Sequence, residues 1–166
     1  WPFLLLLIGM LPSWQQANAF PFGGWDAWSV WNYKAKFLLL AESYWRDLFD
    51  PRMWHTSPHY PLLLPLMILW GWTPAGNPLP VVPLIIGLVF TFLTASLLYL
   101  ILREITHRQD IVVAPLALLS LPFYATLAAS QYCDIVLSFY LLAGLGVLIF
   151  AIRESNESSA ILAGIF

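Results

Sequence analysis

Three long apolar runs, at residues 79–102, 111–130 and 135–152, limit what this chain can fold into more than any other feature of its sequence. About 20 mostly apolar residues are needed to cross the hydrocarbon core of a bilayer as a helix. A spanning segment that is not helical must belong to a closed barrel, which needs many more strands than these runs could supply. The sequence therefore predicts an all-α membrane protein, built as a polytopic bundle of transmembrane helices.

The composition agrees with this class of protein. Hydrophobic residues make up 60% of the chain, charged residues make up 10%, and the mean hydropathy is +0.76. Soluble domains, by contrast, carry about 25% charged residues. The formal net charge is -2 and the chain has no run of Lys or Arg. Membrane lipid is therefore an expected partner, and nucleic acid is not.

The two ends of the sequence are also interpreted as membrane segments. As a helix, residues 1–12 would cover about 18 Å of a hydrocarbon core about 30 Å thick, which indicates a truncated transmembrane helix. Residues 160–166 are interpreted as the start of a further helix, so that the chain forms the N-terminal part of one transmembrane domain. An alternative takes residues 17–19 as the cleavage site of a signal peptide, although the basic region typical of one is missing.

The basic residues between the apolar runs predict the orientation. Arg103, Arg108 and Arg153 fall at ends that alternate crossings place on one side of the membrane. The positive-inside rule makes that side cytoplasmic. The long segment 13–78 is then an external loop, although it also carries four more widely spaced basic residues, namely Lys34, Lys36, Arg46 and Arg52.

The external loop is predicted to contain two surface helices. Residues 26–50 form an amphipathic pattern at about 100° per residue, with a polar face made of Ser29, Asn32, Lys36, Ser43 and Asp47. Lys34 projects from the apolar side and is expected either to extend to the headgroups or to hold an anion. A second apolar stretch of roughly ten residues, ending at Trp72, is too short to cross. Pro122 is expected to kink the second full span.

Two aspartates are the candidate catalytic residues. Asp26 follows two glycines and lies among Trp residues, which gather at the boundary between lipid and water. It could cap the surface helix or act as a general base, and the sequence leaves both roles open. Asp134 lies in a short connection between two apolar runs, where a helix cap is again the structural alternative. Since alternate crossings return both acids to one membrane face, we predict that they share one site.

Four further residues are candidates for binding a phosphate-bearing substrate: Lys34, Lys36, His59 and Tyr60. His55 and His59 have the i,i+4 spacing of some zinc ligands, but Pro58 between them interrupts a helix and no third ligand is evident. No metal site is therefore predicted. No cofactor is identified, and the sequence leaves a requirement for a divalent cation open.

The loop motifs resemble those of the GT-C glycosyltransferases, above all the protein O-mannosyltransferase and aminoarabinose transferase branch. The similarity lies in an acid within the first external loop, a Tyr-Pro-Leu-Leu segment before the second surface helix, and a short second loop continuing Tyr-Cys-Asp-Ile-Val-Leu-Ser-Phe-Tyr. Those enzymes commonly have Lys-Pro-Pro where this chain has His59-Tyr60-Pro61. The resemblance covers most of the chain, but only the N-terminal part of such an enzyme.

The resemblance implies a bacterial inner-membrane enzyme whose active site faces the periplasm or exterior. It would move a sugar from a polyprenyl-phosphate-linked donor to a glycan, lipid or protein acceptor. Asp26 would act on the acceptor, and Asp134 would correspond to the second-loop acid of the aminoarabinose transferases. Two other functions stay open on the sequence alone, a transporter or lipid flippase and a non-catalytic membrane subunit.

Overall fold

The computed structural model describes residues 2–108, 110–154, 161 and 164, and within this part of the chain all regular secondary structure is helical. The α-helices of this described part are α1 (Pro2–Ala19), α2 (Asn32–Leu40), α3 (Leu63–Trp72), α4 (Val81–Thr106), α5 (Val113–Ser120), α6 (Pro122–Ala129) and α7 (Cys133–Glu154). The predicted all-α class is thus confirmed. The helix predicted over 160–166 lies outside the described residues apart from Ile161 and Gly164.

Among the residues that the structure describes, two helices are long and apolar enough to cross a membrane, Val81–Thr106 and Cys133–Arg153. A third candidate span is the pair Asp110–Ser120 and Pro122–Ala129, whose axes differ by 62°. The predicted kink at Pro122 is therefore confirmed. Its cause is steric, because a proline pushes the residue before it out of the helical region. Leu121 is accordingly extended, with φ -71° and ψ 116°.

The first helix is longer than the sequence predicted. α1 continues through Pro12 to Ala19, whereas the predicted helix ended at residue 12. A proline removes one backbone hydrogen bond but does not always end a helix. The residues that follow it include Gln and Ala, which favour helix. α1 packs against α5 and α6, and the Ser13 hydroxyl donates a hydrogen bond to the Ala125 carbonyl.

The prediction of a single amphipathic helix over residues 26–50 is wrong. This segment consists of a π-helical turn (Ala27–Trp31), α2, and a 3-10 helix (Glu42–Phe49) that starts at a residue with φ +47°. A π turn holds more residues than an α turn, so the side chains after it lie on a different face from the one that a constant 100° step predicts. Asn32, placed on the polar face by the sequence pattern, is instead buried.

The second apolar stretch of the loop forms a helix, α3, which packs against both α2 and α4. Trp72 at its end is 1% exposed, and its indole Nε1 donates a 2.8 Å hydrogen bond to the Leu79 carbonyl. Around it lies the hydrophobic core, in which residues of the loop helices meet residues of the long helices: Val30, Trp31, Ala35, Leu64, Ile68, Trp72, Phe90, Ala128, Ile135 and Val136. This core fixes the loop helices onto the candidate spans.

Candidate functional site

The turn that follows α1 is hydrogen-bonded to the short connection between α6 and α7. The Gly24 backbone N–H donates to the Ser130 carbonyl at 3.0 Å. The Gln131 amide nitrogen donates to the Pro21 carbonyl at 2.9 Å, while its oxygen accepts from the Asn32 amide at 2.7 Å. We call this contact between residues 20–24 and residues 130–132 the junction. It joins two segments that are over a hundred residues apart in sequence.

Glycine is required where the two backbones meet. Gly23 has φ +81°, and a Cβ atom there would lie 2.5 Å from the Ser130 carbonyl oxygen. A Cβ atom on Gly24 would lie 2.5 Å from the Tyr132 hydroxyl. On the other side of the junction, Gln131 has φ +60° and is 3% exposed. A left-handed conformation is unusual for a residue of this size, so the surrounding hydrogen bonds must hold it in place.

Both predicted catalytic acids lie next to the junction. Asp26 is two residues beyond Gly24, and Asp134 is two residues beyond Tyr132, in the first turn of α7. Both aspartates are exposed, and neither side chain has a hydrogen bond or ion pair within the described part of the chain. The junction thus brings together the segments that carry the two acids, whereas a site shared by the two carboxylates stays a prediction.

The structure also bears on the two roles considered for Asp26. The residue stands at the start of the π turn, but its backbone is already helical, with φ -65° and ψ -32°, and its side chain makes no capping hydrogen bond. A capping residue normally has non-helical angles and accepts a hydrogen bond from the first turn. The cap interpretation is therefore not supported.

The position of the Lys34 side chain differs from the one predicted. Its side chain is fully buried, and its ammonium donates to the Ser57 carbonyl at 2.7 Å and to the Tyr60 carbonyl at 3.4 Å. It also lies 5.9 Å and 5.7 Å from the ring centroids of Trp31 and Tyr60. The side chain neither extends to the headgroups nor faces an open anion site. It ties the turn before α3 to α2, and burial lowers the pKa of its ammonium group.

The lowered pKa of Lys34 gives a testable pH dependence. Because the unfolded chain binds this proton more tightly than the folded chain does, the free energy of unfolding should rise with pH. This increase should occur between the lowered pKa of Lys34 in the folded protein and the ordinary pKa of a lysine side chain.

We expect thermal unfolding in detergent to show this increase for the wild type but not for Lys34→Met. Lys36→Met, which removes an exposed lysine, is the control and should keep the rise. An equal pH dependence in wild type and Lys34→Met would contradict this account.

The other predicted substrate residues are accessible. His59 is exposed and borders a cavity of about 530 Å³ with Pro58 and Trp54. Tyr60 is 43% exposed, and its ring stacks on Trp31 with centroids 5.6 Å apart. Lys34 therefore affects His59 only indirectly, because its ammonium holds the backbone carbonyls of Ser57 and Tyr60 on either side of that residue. The His59 side chain stays available for a ligand.

Lys36 is exposed on α2 and lines a cavity of about 460 Å³ that also borders Asn32.

The sequence analysis did not identify Asn32 and Gln131 as important residues. Asn32 donates both to Gln131 and to the Phe22 carbonyl, yet its Oδ1 atom has no hydrogen-bond partner in the described part of the chain. A buried polar atom left in this state costs about 1–3 kcal/mol. No spacing in the sequence signals this pair, because its members are 99 residues apart.

The residues that the structure describes include no group of three or more His, Cys, Asp or Glu side chains able to hold a metal ion. No protein-family model, characterised protein or solved structure matches the chain. The features of the chain that bear on function are therefore the junction, the two aspartates and the cavities bordered by Lys36 and His59.

Proposed function

We propose that this chain belongs to an integral membrane glycosyltransferase, which moves a sugar from a polyprenyl-phosphate-linked donor to an acceptor on the extracytoplasmic side. The observation that carries the proposal is the junction, which joins the two segments bearing Asp26 and Asp134 while both carboxylates stay exposed and unpaired in the described structure. Carboxylates become costly where they approach hydrocarbon, so two acids held near a membrane boundary are candidates for a functional site. The motifs that resemble GT-C enzymes supply the reaction class.

The proposed reaction is a single in-line displacement at the anomeric carbon. Asp26 accepts the proton of the acceptor hydroxyl as its oxygen forms a bond to that carbon. The bond from the anomeric carbon to the phosphate oxygen breaks, and its electron pair leaves with the polyprenyl phosphate. Asp134 positions the acceptor, while Lys36 and His59 stabilise the leaving phosphate. Lys34 serves indirectly, by holding the turn that carries His59.

Exposed aromatic residues support a location at the membrane boundary. Trp25, Trp54 and Trp70 are 67%, 77% and 82% exposed, and all three belong to the loop region before α4. Tryptophan is enriched where hydrocarbon meets headgroups, because its ring is apolar and its N–H is polar. The proposal therefore places the loop helices on the outer face of a bacterial inner membrane, next to the lipid-linked donor.

This topology predicts a labelling result. Ser43 lies on an exposed part of the loop, so a cysteine introduced there in a Cys133→Ser background should react with a membrane-impermeant thiol reagent in intact cells. A cysteine replacing Arg108, which the topology places in the cytoplasm, is the control and should react only after lysis. The reverse pattern would show that the loop lies inside the cell.

A direct assay tests the activity. The full-length protein, purified in detergent, should convert a polyprenyl-phosphate-linked sugar into sugar-free polyprenyl phosphate when an acceptor is present. Asp50→Asn offers a matched control, since Asp50 is a half-buried loop acid already paired with Arg52 at 2.7 Å. That variant should keep its activity. Movement of intact donor across liposomes without sugar release would instead identify a flippase.

A further inference from the structure

Tyr132 lies between the two segments that carry the candidate acids. Along the chain it is the last residue of the connection between α6 and α7, two residues before Asp134. In space its ring packs against Gly24, which is two residues before Asp26. A Cβ atom on Gly24 would lie 2.5 Å from the Tyr132 hydroxyl and 2.9 Å from the ring atoms Cε1 and Cζ. The phenol therefore occupies the space that a side chain at position 24 would fill.

The hydroxyl of Tyr132 has no hydrogen bond to any residue that the structure describes. Its neighbours in the junction do have partners, because the Gly24 N–H donates to the Ser130 carbonyl and the Gln131 side chain bonds through both its nitrogen and its oxygen. Within the described residues, the buried side-chain polar atom that lacks a partner is Oδ1 of Asn32. Tyr132 is only half-buried, so its unpaired hydroxyl is open to solvent and to a ligand.

The fold holds this hydroxyl in place. A tyrosine side chain has only two torsions that must be fixed, and the ring of Tyr132 is bounded by the backbone of Gly24. That backbone is itself held to Ser130 by a 3.0 Å hydrogen bond. Groups that are ordered before a ligand arrives lose little conformational entropy when they bind it. The Tyr132 hydroxyl is thus a preorganised polar group beside the two acid-bearing segments.

The geometry points to Tyr132 as a third substrate-contacting residue of the site that contains Asp26 and Asp134. Its hydroxyl donates a hydrogen bond to an oxygen atom of the acceptor that neighbours the reacting hydroxyl, while the proton of the reacting hydroxyl passes to Asp26. Ionised carboxylates only accept hydrogen bonds, whereas a phenol can donate one. Tyr132 therefore supplies a contact that neither aspartate can make. This inference rests on the proposed function and adds a determinant of acceptor binding to it.

Tyr132→Phe tests this contact, because it removes the hydroxyl and keeps the ring against Gly24. In the transfer assay described above, the KM for the acceptor should rise about 2- to 12-fold, the effect of losing one neutral hydrogen bond. The kcat and the KM for the donor should stay close to the wild-type values, since a contact made equally in the ground state and the transition state changes KM alone.

Tyr44→Phe is the matched control, because it removes the hydroxyl of a tyrosine in the external loop that is 69% exposed. It should leave all three constants unchanged. An unchanged acceptor KM in Tyr132→Phe, or an equal rise in both variants, would overturn the proposal. So would a rise in the KM for the donor as large as that for the acceptor.

A measurement without sugar transfer tests the placement of Tyr132 separately. The chain has seven tyrosines, and with 3-fluorotyrosine at all of them the ¹⁹F signal of Tyr132 is identified by its loss in Tyr132→Phe. Asp26→Asn should shift this signal because it removes a charge near the phenol, whereas Asp47→Asn should not. No shift in Asp26→Asn would overturn the proposal. If the signal shifts but the wild type transfers no sugar, the proposed function fails, and the acceptor contact with it, although the placement of Tyr132 stands.

Discussion

Replacement of Asp26 by asparagine is expected to lower sugar transfer by about 10²- to 10⁴-fold, the usual effect of losing a general base. The change is nearly isosteric. It removes no capping hydrogen bond, because the Asp26 side chain makes none, and it affects an exposed residue. The amount of protein in the membrane and its thermal unfolding should therefore stay close to those of the wild type. Release of polyprenyl phosphate from the sugar donor measures the effect.

Asp47→Asn is the matched control for this experiment, since Asp47 is an exposed acid of the same loop and belongs to neither segment of the junction. It should keep transfer within a few-fold of the wild type. Near-normal transfer by Asp26→Asn would contradict the role given to Asp26. A loss of protein from the membrane would instead show that the residue is structural, which would contradict the account equally.

Replacement of Gly23 by alanine should destabilise the junction strongly. A residue with a side chain at φ +81° costs about 1–2 kcal/mol, and a Cβ atom 2.5 Å from the Ser130 carbonyl oxygen adds the cost of overpacking, about 1–3 kcal/mol. The obstructing atom belongs to the backbone, so it cannot rotate away. We expect the free energy of unfolding to fall by about 2–5 kcal/mol in total.

Gly76→Ala separates the two costs. Gly76 also has a positive φ, +64°, but no atom lies within 4 Å of the position of its Cβ. Its substitution should therefore cost only the conformational term, about 1–2 kcal/mol. Thermal or denaturant unfolding of both variants in detergent provides the comparison. Equal destabilisation of the two would show that residues 20–24 do not pack against residues 130–132.

Much of the helical framework could be predicted from the sequence. Apolar runs of the required length correspond to α4, the α5–α6 pair and α7, because backbone hydrogen bonding in an apolar segment leaves few alternatives to a helix. Pro122 predicted the bend before α6 for a local steric reason. The short apolar stretch ending at Trp72 predicted α3 in the same way, from its length and composition.

The details of the loop could not be predicted, because they depend on contacts distant in sequence. The π turn at Ala27–Trp31 changes the helix face on which the following side chains lie, and no local sequence pattern predicts such a turn. Lys34 is buried because the carbonyls of Ser57 and Tyr60 accept its hydrogen bonds. The pairing of Asn32 with Gln131 depends on the folded junction alone. Sequence reasoning therefore identified the candidate acids but missed the residues that hold their segments together.

The most direct test of the central claim is chemical cross-linking between positions 26 and 134. In a Cys133→Ser background, the double variant Asp26→Cys, Asp134→Cys should be joined within one chain by a bismaleimide that spans about 10 Å. That span slightly exceeds the separation of about 6.5–9.5 Å between two carboxylates that act on either side of one sugar. A monofunctional maleimide must first show that both cysteines react. An intramolecular cross-link in high yield is the predicted result. Two reactive cysteines that the reagent fails to join would contradict a shared site for Asp26 and Asp134.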